Sequence, residues 1–387
     1  MNKIYADNAC TSFPKPKAVV DAMSYFMTDI GANINRGTYR NSYEAADKVF
    51  ECRELIKDFF NAGDPRNVIF TRGITESLNV ILMGLLGPND HVITSNMEHN
   101  AVMRPLRYLE SKGTKISLFD KDNILPSLES SLCKNTKAVV VSHAGNVFGN
   151  VFPLDIIGDF CQKHKLFFIV DSAQSAGILP IDMQKSHIDA LTFTGHKSLF
   201  GPQGIGGFVI SDKLAEMINP LIMGGTGSLS HTEYMPQFLP DKFEAGTLNI
   251  PGIIGLSEGI RYINNLSLDT VYKHEMALTK QFIEGLKPLC DSSFIALHMT
   301  GEIKAPCVSV SFNIMDNSTA AAILDEEYSV MTRVGLHCAP SAHKTAGTYP
   351  NGTVRFSFGY FNTCEEIESI LKALFQLSAN RGNKNGF

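Results

Sequence analysis

The sequence predicts an α/β protein, with a large domain built on a mainly parallel seven-stranded sheet and a smaller C-terminal α+β domain. Between residues 70 and 220, seven short runs that are apolar throughout alternate with amphipathic segments. This pattern is typical of buried parallel strands connected by helices. In the last third of the chain, the strand-like runs alternate apolar and polar residues instead. That alternation is typical of half-exposed antiparallel strands.

The seven apolar runs mark the predicted strands of the large sheet. In order they are "VIFTRG", "HVITSN", "KISLFD", "KAVVVSHAG", "LFFIVDSAQ", "ALTFTG" and "GIGGFVIS". Intervening segments such as "TESLNVILMGLL" and "PLDIIGDFCQKHK" have apolar residues at helical spacing. The alternation therefore predicts a sheet wrapped by helices.

The flanking segments suggest where the two domains divide. "SYEAADKVFECRELIKDFFNA" predicts a helix before the first strand, and residues 220–250 are rich in Gly, Pro and Ser, which predicts a long loop. The runs "CVSVSFNI" and "TVRFSFG" predict the strands of the last third. We place the large domain at residues 1–255 and the small domain at 256–387, and we expect the N-terminal segment to pack on the small domain.

Composition excludes several classes of protein. The 387 residues are 44% hydrophobic and 19% charged, with a formal net charge of -5, which is ordinary for a globular protein and too weakly charged to predict a nucleic-acid surface. The N-terminus "MNKIYADNAC" lacks the apolar core of a signal peptide, and no apolar run approaches the roughly 18 residues of a membrane span. We expect a cytoplasmic protein without nucleic-acid or membrane partners.

The stretch "TRVGLHCAPSAHKTAG" contains the cysteine with the most polar surroundings. The eight cysteines include no CxxC pair, which argues against a disulfide scaffold or a zinc ribbon. His337 and His343 flank Cys338 without a fourth ligand, so we expect no metal. Cationic neighbours (Arg333, Lys344) favour a thiolate, which is the reactive form. An ordinary buried thiol remains the alternative at this point.

Polar side chains follow the predicted strands at the point where each strand ends. Ligands of open α/β sheets bind at the carboxyl ends of strands. The residues found there are Thr75, His99, Asp171 and Lys197. Each alone could be a helix cap or a solvated charge, but together they predict a binding site on one edge of the sheet.

The chemistry of these residues points to a phosphate-bearing cofactor. In "TRGITES", Gly73 and Thr75 lie at a predicted helix N-terminus, which suits a phosphate. The stretch is neither a Walker A loop nor a dinucleotide fingerprint. A lysine that forms a Schiff base, an acid that pairs with a pyridinium nitrogen and a histidine that stacks on the ring meet the needs of pyridoxal 5'-phosphate.

Longer motifs carry a family resemblance. "VDSAQSAG", "TGHKSLFGPQGIG", "EAGT" and "RVGLHCA" together resemble the class V, fold-type-I aminotransferases that use pyridoxal phosphate, and within them the cysteine desulfurase and selenocysteine lyase branch with an RxGxHC cysteine motif. The resemblance runs from "YADNACTS" almost to the C-terminus. It implies that residues 1–255 bind the cofactor and that residues 256–387 carry the catalytic cysteine loop.

The resemblance implies a role for each matching residue in cofactor binding. Lys197 would hold the cofactor covalently, Asp171 would pair with its ring nitrogen, and Gln174 would hydrogen-bond its phenolic oxygen. His99 would stack on the ring and relay protons. The phosphate would be held by Thr75, Thr194 and His196, beside Gly73. Thr247 of "EAGT" would reach the phosphate of the partner subunit, which implies a homodimer.

The resemblance also implies the substrate site and the nucleophile. Asn146 and Arg355 would hold the substrate carboxylate, and Arg36 would line the entrance. Cys338 would attack the substrate sulfur and keep it as a persulfide while alanine leaves, and His337 would assist in forming or protonating the thiolate. The catalytic residues are thus expected to be Cys338, Lys197 and His99.

Departures from the family pattern leave the substrate and the sulfur acceptor open. Cys10 replaces an alanine in "NACTS", and Gly145 and Phe148 alter the wall beside Asn146. The leading hypothesis is a cysteine desulfurase acting on L-cysteine, with transfer to a possible acceptor protein. The alternatives are a selenocysteine lyase or another C–S lyase, a true aminotransferase, and a non-catalytic scaffold that binds a partner.

Overall fold

The structure, a computed structural model, describes residues 3–34 and 37–382. Its strands in chain order are β1 (Ile4–Tyr5), β2 (Val68–Thr71), β3 (His91–Ser95), β4 (Lys115–Phe119), β5 (Thr136–Ser142), β6 (Phe167–Asp171), β7 (Ala190–Thr194), β8 (Gly206–Ile210), β9 (Ile295–His298), β10 (Cys307–Phe312), β11 (Val330–Met331), β12 (Arg333–Gly335) and β13 (Thr353–Ser357). Its α-helices in chain order are α1 (Lys17–Tyr25), α2 (Arg40–Phe59), α3 (Ile74–Leu85), α4 (Asn100–Glu110), α5 (Ile124–Ser131), α6 (Leu154–His164), α7 (Asp212–Met217), α8 (Ile250–Leu266), α9 (Leu268–Asp291), α10 (Asn317–Tyr328), α11 (Pro340–Thr345) and α12 (Cys364–Gly382).

The chain forms two compact units. The large unit comprises Lys15–His143 and Phe152–Leu268, and the small unit comprises Met1–Pro14, Ala144–Val151 and Asp269–Phe387, within the described residues. No strand or α-helix is assigned between the end of α7 and the start of α8, which confirms the loop predicted for residues 220–250. The boundary placed at residue 255 from sequence stays a prediction.

The large unit is built on a seven-stranded sheet in the order β2-β8-β7-β6-β5-β3-β4. Strands β3 to β7 pair in parallel, while β8 runs antiparallel to both of its neighbours. The central strands are buried on both faces because their side chains are apolar throughout, as in the "AVVV" run of β5. The predicted mainly parallel seven-stranded sheet is therefore confirmed, and β3, β5, β6 and β7 bring their carboxyl ends to one edge.

The small unit contains a four-stranded antiparallel sheet in the order β12-β13-β10-β9. The predicted antiparallel pairing is confirmed, but the prediction that these strands are half-exposed is wrong for β10 and β13. Their polar residues Ser309, Thr353, Arg355 and Ser357 are all buried. Segments from elsewhere in the unit cover them: the Ser309 hydroxyl donates to the Val147 carbonyl at 2.7 Å, and the Ser357 hydroxyl accepts from the Ala9 backbone N–H at 2.9 Å.

None of the helices in the described part of the chain combines the length and the apolar character that a membrane crossing requires.

Candidate active site

The start of α3 forms a cradle for an anion in the large unit. Gly73 precedes the helix and Thr75 lies in its first turn. Thr194, the last residue of β7, and His196 line the same cavity of about 750 Å³ as Gly73 and Thr75. A helix N-terminus presents backbone N–H groups and a positive dipole end to an anion. The residues predicted to hold a phosphate thus line one cavity, although their role stays a prediction.

The cradle depends on a glycine and on a neutral histidine. Gly73 has φ 152° and ψ 177°, a conformation that only glycine adopts readily. A Cβ atom there would lie 3.6 Å from Thr194 Oγ1 and would narrow the cavity. Burial, together with the charges of Lys197 and Lys15, lowers the pKa of His196 to about 4. His196 is therefore uncharged at neutral pH and can offer hydrogen bonds but no positive charge.

Asp171, the last residue of β6, is a carboxylate buried to 3% exposure. Burial raises its pKa. A hydrogen bond from the Ala173 backbone N–H at 2.9 Å and the positive charge of Lys197 act in the opposite direction and lower the pKa. Lys197 follows the neighbouring strand β7 by three residues, and Gln174 is half-buried three residues beyond Asp171. A buried carboxylate in this position would bind a cationic ring nitrogen strongly, because the cation would offset the cost of its burial.

His99 is held in one tautomer at the start of α4. It is the N-cap of that helix, and its Nδ1 accepts a hydrogen bond from the Ala101 backbone N–H at 3.0 Å. An accepting Nδ1 carries no proton, so the proton of the neutral ring is on Nε2. The predicted ring-stacking residue is thus fixed with a defined proton position, and the stacking itself stays a prediction.

Glu98 is a buried acid of this region that sequence reasoning missed. Ser95 donates to its Oε1 at 2.5 Å, and the Ser142 hydroxyl donates to its Oε2 at 2.6 Å. Ser142, the last residue of β5, also lies 3.5 Å from Asp171 Oδ2. Burial raises the pKa of Glu98 to about 7, and the nearby Asp171 adds to the rise. The signal available in the sequence was a charged residue directly before His99, three residues after an apolar strand.

In the small unit, Arg355 lies fully buried within β13. Its Nη2 donates to Asp7 Oδ1 at 2.5 Å, and its Nη1 donates to the Asn146 carbonyl at 3.0 Å. Its Nε is buried without a hydrogen-bond partner among the described residues. Asn146 itself donates from Nδ2 to the His337 carbonyl at 2.7 Å. The Nε–H of Arg355 thus remains for an anion, and Asp7, which sequence reasoning also missed, is its counter-ion.

Cys338 lies on the loop that connects β12 to α11 in the same unit, and its side chain is exposed. His337 and Cys338 have φ values of 48° and 58°, which non-glycine residues adopt rarely and at a cost in free energy. Arg333 donates from Nη2 to Cys338 Sγ at 3.7 Å and from Nη1 to Cys10 Sγ at 3.5 Å. The loop therefore presents an exposed thiol in contact with a permanent cation.

The other polar residues around Cys338 do not supply such a charge. His337 is 3% exposed, and burial lowers its pKa far below the usual range. Burial likewise lowers the pKa of His343 to about 4, and the Lys344 ammonium lies over an aromatic ring. The cation beside the thiol is instead Arg333, the first residue of the RxGxHC motif. A role of His337 in moving a proton stays a prediction.

One further predicted residue, Thr247, lies in the large unit. Thr247, in the loop before α8, lines a cavity of about 230 Å³ together with Arg72, Glu76 and Gly204. Four residues that line this cavity, Arg72, Glu76, Gly204 and Ile222, also line the cavity at the start of α3. Arg36, predicted at the entrance, lies outside the described residues.

The chain is similar to known proteins over almost its whole length. The family model "Aminotransferase class-V" matches residues 4–370. A probable cysteine desulfurase from Pyrococcus abyssi is 35% identical over 97% of this chain and 94% of that protein, and one from Methanothermobacter thermautotrophicus is 33% identical over the same shares. The apo structure of a cysteine desulfurase from Thermococcus onnurineus superimposes with a TM-score of 0.91 at 35% identity, covering 98% of this chain and 95% of that one. The structure of a cysteine desulfurase from Escherichia coli gives 0.86 at 26% identity, with the same coverage. The predicted fold type is therefore confirmed.

Proposed function

The chain belongs to the class-V aminotransferase family, and we propose that it is a cysteine desulfurase that uses pyridoxal 5'-phosphate. It would convert L-cysteine to L-alanine and take the sulfur as a persulfide on Cys338. The observation that carries this proposal is the exposed Cys338 sulfur beside the Arg333 guanidinium at 3.7 Å. Transamination requires no such thiol, whereas conversion of L-cysteine to L-alanine requires a nucleophile that takes the sulfur.

The large unit fits the cofactor. The N-terminus of α3, with Thr75 and Thr194, suits its phosphate, and the buried Asp171 suits a protonated ring nitrogen. Lys197 would attach it covalently. When bound, pyridoxal phosphate supplies an electron sink for bonds at the Cα of an amino acid.

The chain's own residues supply binding and proton transfer. Arg355 and Asn146 would bind the carboxylate of L-cysteine, since Arg355 has an unused buried donor and a guanidinium suits a carboxylate. The Lys197 amine would move a proton at Cα, and His99, whose proton is on Nε2, would relay one near the ring. Asp171 would remain ionised while it faces a cation, because that cation counters the effect of burial on its pKa.

Cys338 would take the sulfur. Its thiolate attacks the sulfur of L-cysteine, so that an S–S bond forms while the bond between Cβ and sulfur breaks. The carbon skeleton, once protonated, leaves as L-alanine, and the sulfur remains on Cys338 as a persulfide. Arg333 stabilises the thiolate before the attack, because a guanidinium stays charged at any physiological pH.

Product analysis with Cys338→Ala tests the function. Wild type with L-cysteine and a thiol reductant should form alanine and sulfide in equal amounts. Cys338→Ala should form neither, yet should retain lyase activity on L-selenocysteine, since a selenol is more acidic and leaves carbon without attack by the protein. The matched control is Cys364→Ala, which removes another exposed thiol of the small unit. Desulfuration of L-cysteine by Cys338→Ala at the wild-type rate would contradict the proposal.

The same assay separates the alternatives. Turnover of L-selenocysteine without any turnover of L-cysteine would identify a selenocysteine lyase. Amino transfer to a keto acid that does not require Cys338 would identify an aminotransferase. Failure to bind pyridoxal phosphate would favour the remaining alternative, a non-catalytic scaffold that binds a partner.

We further propose a cytoplasmic homodimer that passes its sulfur to an acceptor protein. The loop between α7 and α8 supports the dimer, because it exposes several large apolar side chains in one segment, and such segments mark interfaces. They are Leu221, Ile222, Met223, Leu229, Tyr234 and Phe238. Inactive Lys197→Ala and inactive Thr247→Ala subunits, when mixed, should regain part of the activity if Thr247 completes the partner's site. A fully active monomer by light scattering would exclude this arrangement.

A further inference from the structure

Cys10 and Cys338 share one guanidinium group in the small unit. Arg333 Nη1 donates to Cys10 Sγ at 3.5 Å, and Arg333 Nη2 donates to Cys338 Sγ at 3.7 Å. The two residues are 328 positions apart in the sequence (338 − 10), so their approach is a feature of the fold. Both sulfur atoms therefore lie beside the same positive charge.

The segment around Cys10 is held firmly in this position. The Cys10 backbone N–H donates to the Asp7 carbonyl at 3.0 Å, and the Asp7 carboxylate is the ion-pair partner of the buried Arg355. The neighbouring Ala9 backbone N–H donates to the hydroxyl of Ser357 in β13. Cys10 is thus anchored to the same sheet that carries Arg333.

The remaining cysteines are differently placed. Cys52, Cys161 and Cys307 are buried, and burial raises the pKa of the Cys52 thiol to about 12. Cys290 is half-buried with a pKa that burial raises, whereas Cys133 and Cys364 are exposed. Cys10 is half-buried, so it is less accessible from solution than these two but lies beside the cation that contacts Cys338.

We propose that Cys10 is a second sulfur-carrying site, which accepts the persulfide sulfur from Cys338. This inference rests on the proposed function, because that function places the first sulfur on Cys338. The Cys10 thiolate attacks the outer sulfur of the Cys338 persulfide; a bond from Cys10 Sγ to that sulfur forms, and its bond to Cys338 Sγ breaks. The outer sulfur keeps its proton, Cys338 leaves as a thiolate, and no oxidant or reductant is consumed.

The position of Arg333 suits both the thiolate that starts this transfer and the thiolate that it produces. The negative charge starts on Cys10 Sγ and finishes on Cys338 Sγ, and the guanidinium donates to each sulfur through a different nitrogen. A guanidinium keeps its proton throughout, so it stabilises both thiolates without taking part in the chemistry. The transfer returns Cys338 to the thiolate form that a second turnover needs.

Peptide mass spectrometry tests the proposal, because trypsin places four of the cysteines on separate peptides. Cys10 lies on residues 4–17, Cys133 on 122–134, Cys338 on 334–344 and Cys364 on 356–372. Full-length protein loaded with pyridoxal phosphate is given L-cysteine without reductant, alkylated and digested. Sulfur should appear first on peptide 334–344 and then on peptide 4–17, reaching about half of the total if the two thiols bind sulfur equally well.

Matched variants identify the route. Cys338→Ser should lose the sulfur on peptide 4–17, because Cys10 receives it only from Cys338. Cys10→Ser should keep the sulfur on peptide 334–344 and hold one sulfur fewer per chain at saturation. The peptides of Cys133 and Cys364 serve as internal controls, since sulfur that spreads through solution would label these exposed thiols before Cys10.

Three results would overturn the inference. The first is a Cys338 peptide saturated with sulfur while the Cys10 peptide holds none, which leaves the proposed function intact. The second is equal labelling of Cys10, Cys133 and Cys364. The third is a Cys10–Cys338 disulfide with release of sulfide, which would mean attack on the inner sulfur. Absence of both alanine and sulfur on Cys338 would instead show that the proposed function itself has failed.

Discussion

The two compact units place their polar residues in different ways. In the large unit, Ser142, Asp171 and Thr194 are the last residues of their strands, and the residues that precede them in those strands are mainly apolar. In the small unit, polar residues such as Thr353 and Arg355 lie within a strand and are buried there by segments from elsewhere in the chain. Ligands bind at the carboxyl ends of parallel strands. Polar residues within a strand, in contrast, form a site only when another segment of the chain covers them.

The difference extends to the backbone. In the large unit, Gly73 has the unusual backbone dihedral angles, next to the anion cradle at the start of α3. In the small unit, non-glycine residues take up positive φ values at His337 and Cys338. Strain of this kind persists only where surrounding contacts stabilise it, and here the contacts include the bond from Asn146 to the His337 carbonyl at 2.7 Å. The proposed function assigns the cofactor to the large unit and the sulfur to the small unit, so the two units are expected to respond differently to substitution.

The largest effect is expected in the large unit, at Lys197. Lys197→Ala should lower alanine formation by about 10³-fold, because the residue that moves a proton at Cα is removed. Borohydride reduction of wild type should fix the cofactor on Lys197, detected as a mass adduct on its peptide. Lys15 is the matched control: its Nζ donates to the His196 carbonyl at 2.7 Å, and burial lowers its pKa to about 8. An adduct that stays in Lys197→Ala and vanishes in Lys15→Ala would contradict the assignment.

Glu98 should make the stability of the large unit depend on pH. Burial raises its folded-state pKa from 4.5 to about 7, so its contribution to stability is complete below pH 4.5 and is lost as the pH rises through 7. The loss amounts to at most about 3 kcal/mol, at 1.36 kcal/mol for each unit of pKa. Glu98→Gln stays neutral, so its free energy of unfolding relative to wild type should increase between pH 4.5 and 8.

Urea unfolding of the apo-protein at several pH values measures this difference. The control is Glu51→Gln, since Glu51 forms an exposed ion pair with Arg261 at 3.2 Å, and such pairs contribute little. A free-energy difference between wild type and Glu98→Gln that stays constant with pH would mean that Glu98 is ionised in the folded protein.

A smaller effect is expected in the small unit, at Arg333. Arg333→Gln should slow alkylation of Cys338 by iodoacetamide by roughly threefold to tenfold, because the guanidinium that contacts the attacking sulfur is lost. Arg333→Lys should restore part of the rate. The matched control is Lys344→Gln, since the Lys344 ammonium lies over the Tyr349 ring, 5.1 Å from its centroid. If Lys344→Gln slows alkylation as much as Arg333→Gln does, the arginine has no special role.

The comparison also explains what could be predicted from sequence. The fold of the large unit follows from its apolar runs, and residues such as Asp171 and Lys197 follow from the position of polar groups at strand ends. Glu98 was missed because its role depends on Ser142, which β5 brings beside it across the sheet. Its position directly before His99 gives no sign of that contact.

The small unit was harder to predict because its site depends on contacts between distant segments. Alternation in β13 suggested a solvent-exposed face, yet Arg355 is buried by Asp7 and Asn146, which are remote from it in sequence. Nothing in the local pattern around Cys10 reveals that Arg333 contacts its sulfur. Local periodicity predicts strands well, but it does not identify the segment that covers them.

The most direct test of the account follows the sulfur itself. Wild type and Lys197→Ala, each supplied with pyridoxal phosphate, receive L-cysteine for a single turnover without reductant. The mass of peptide 334–344, which contains Cys338, is then measured by mass spectrometry. Wild type should form one alanine per chain and carry one extra sulfur atom per chain, found first on this peptide, whereas Lys197→Ala should give neither product. Alanine formed by wild type without sulfur on this peptide, or sulfur on this peptide in Lys197→Ala, would contradict the account.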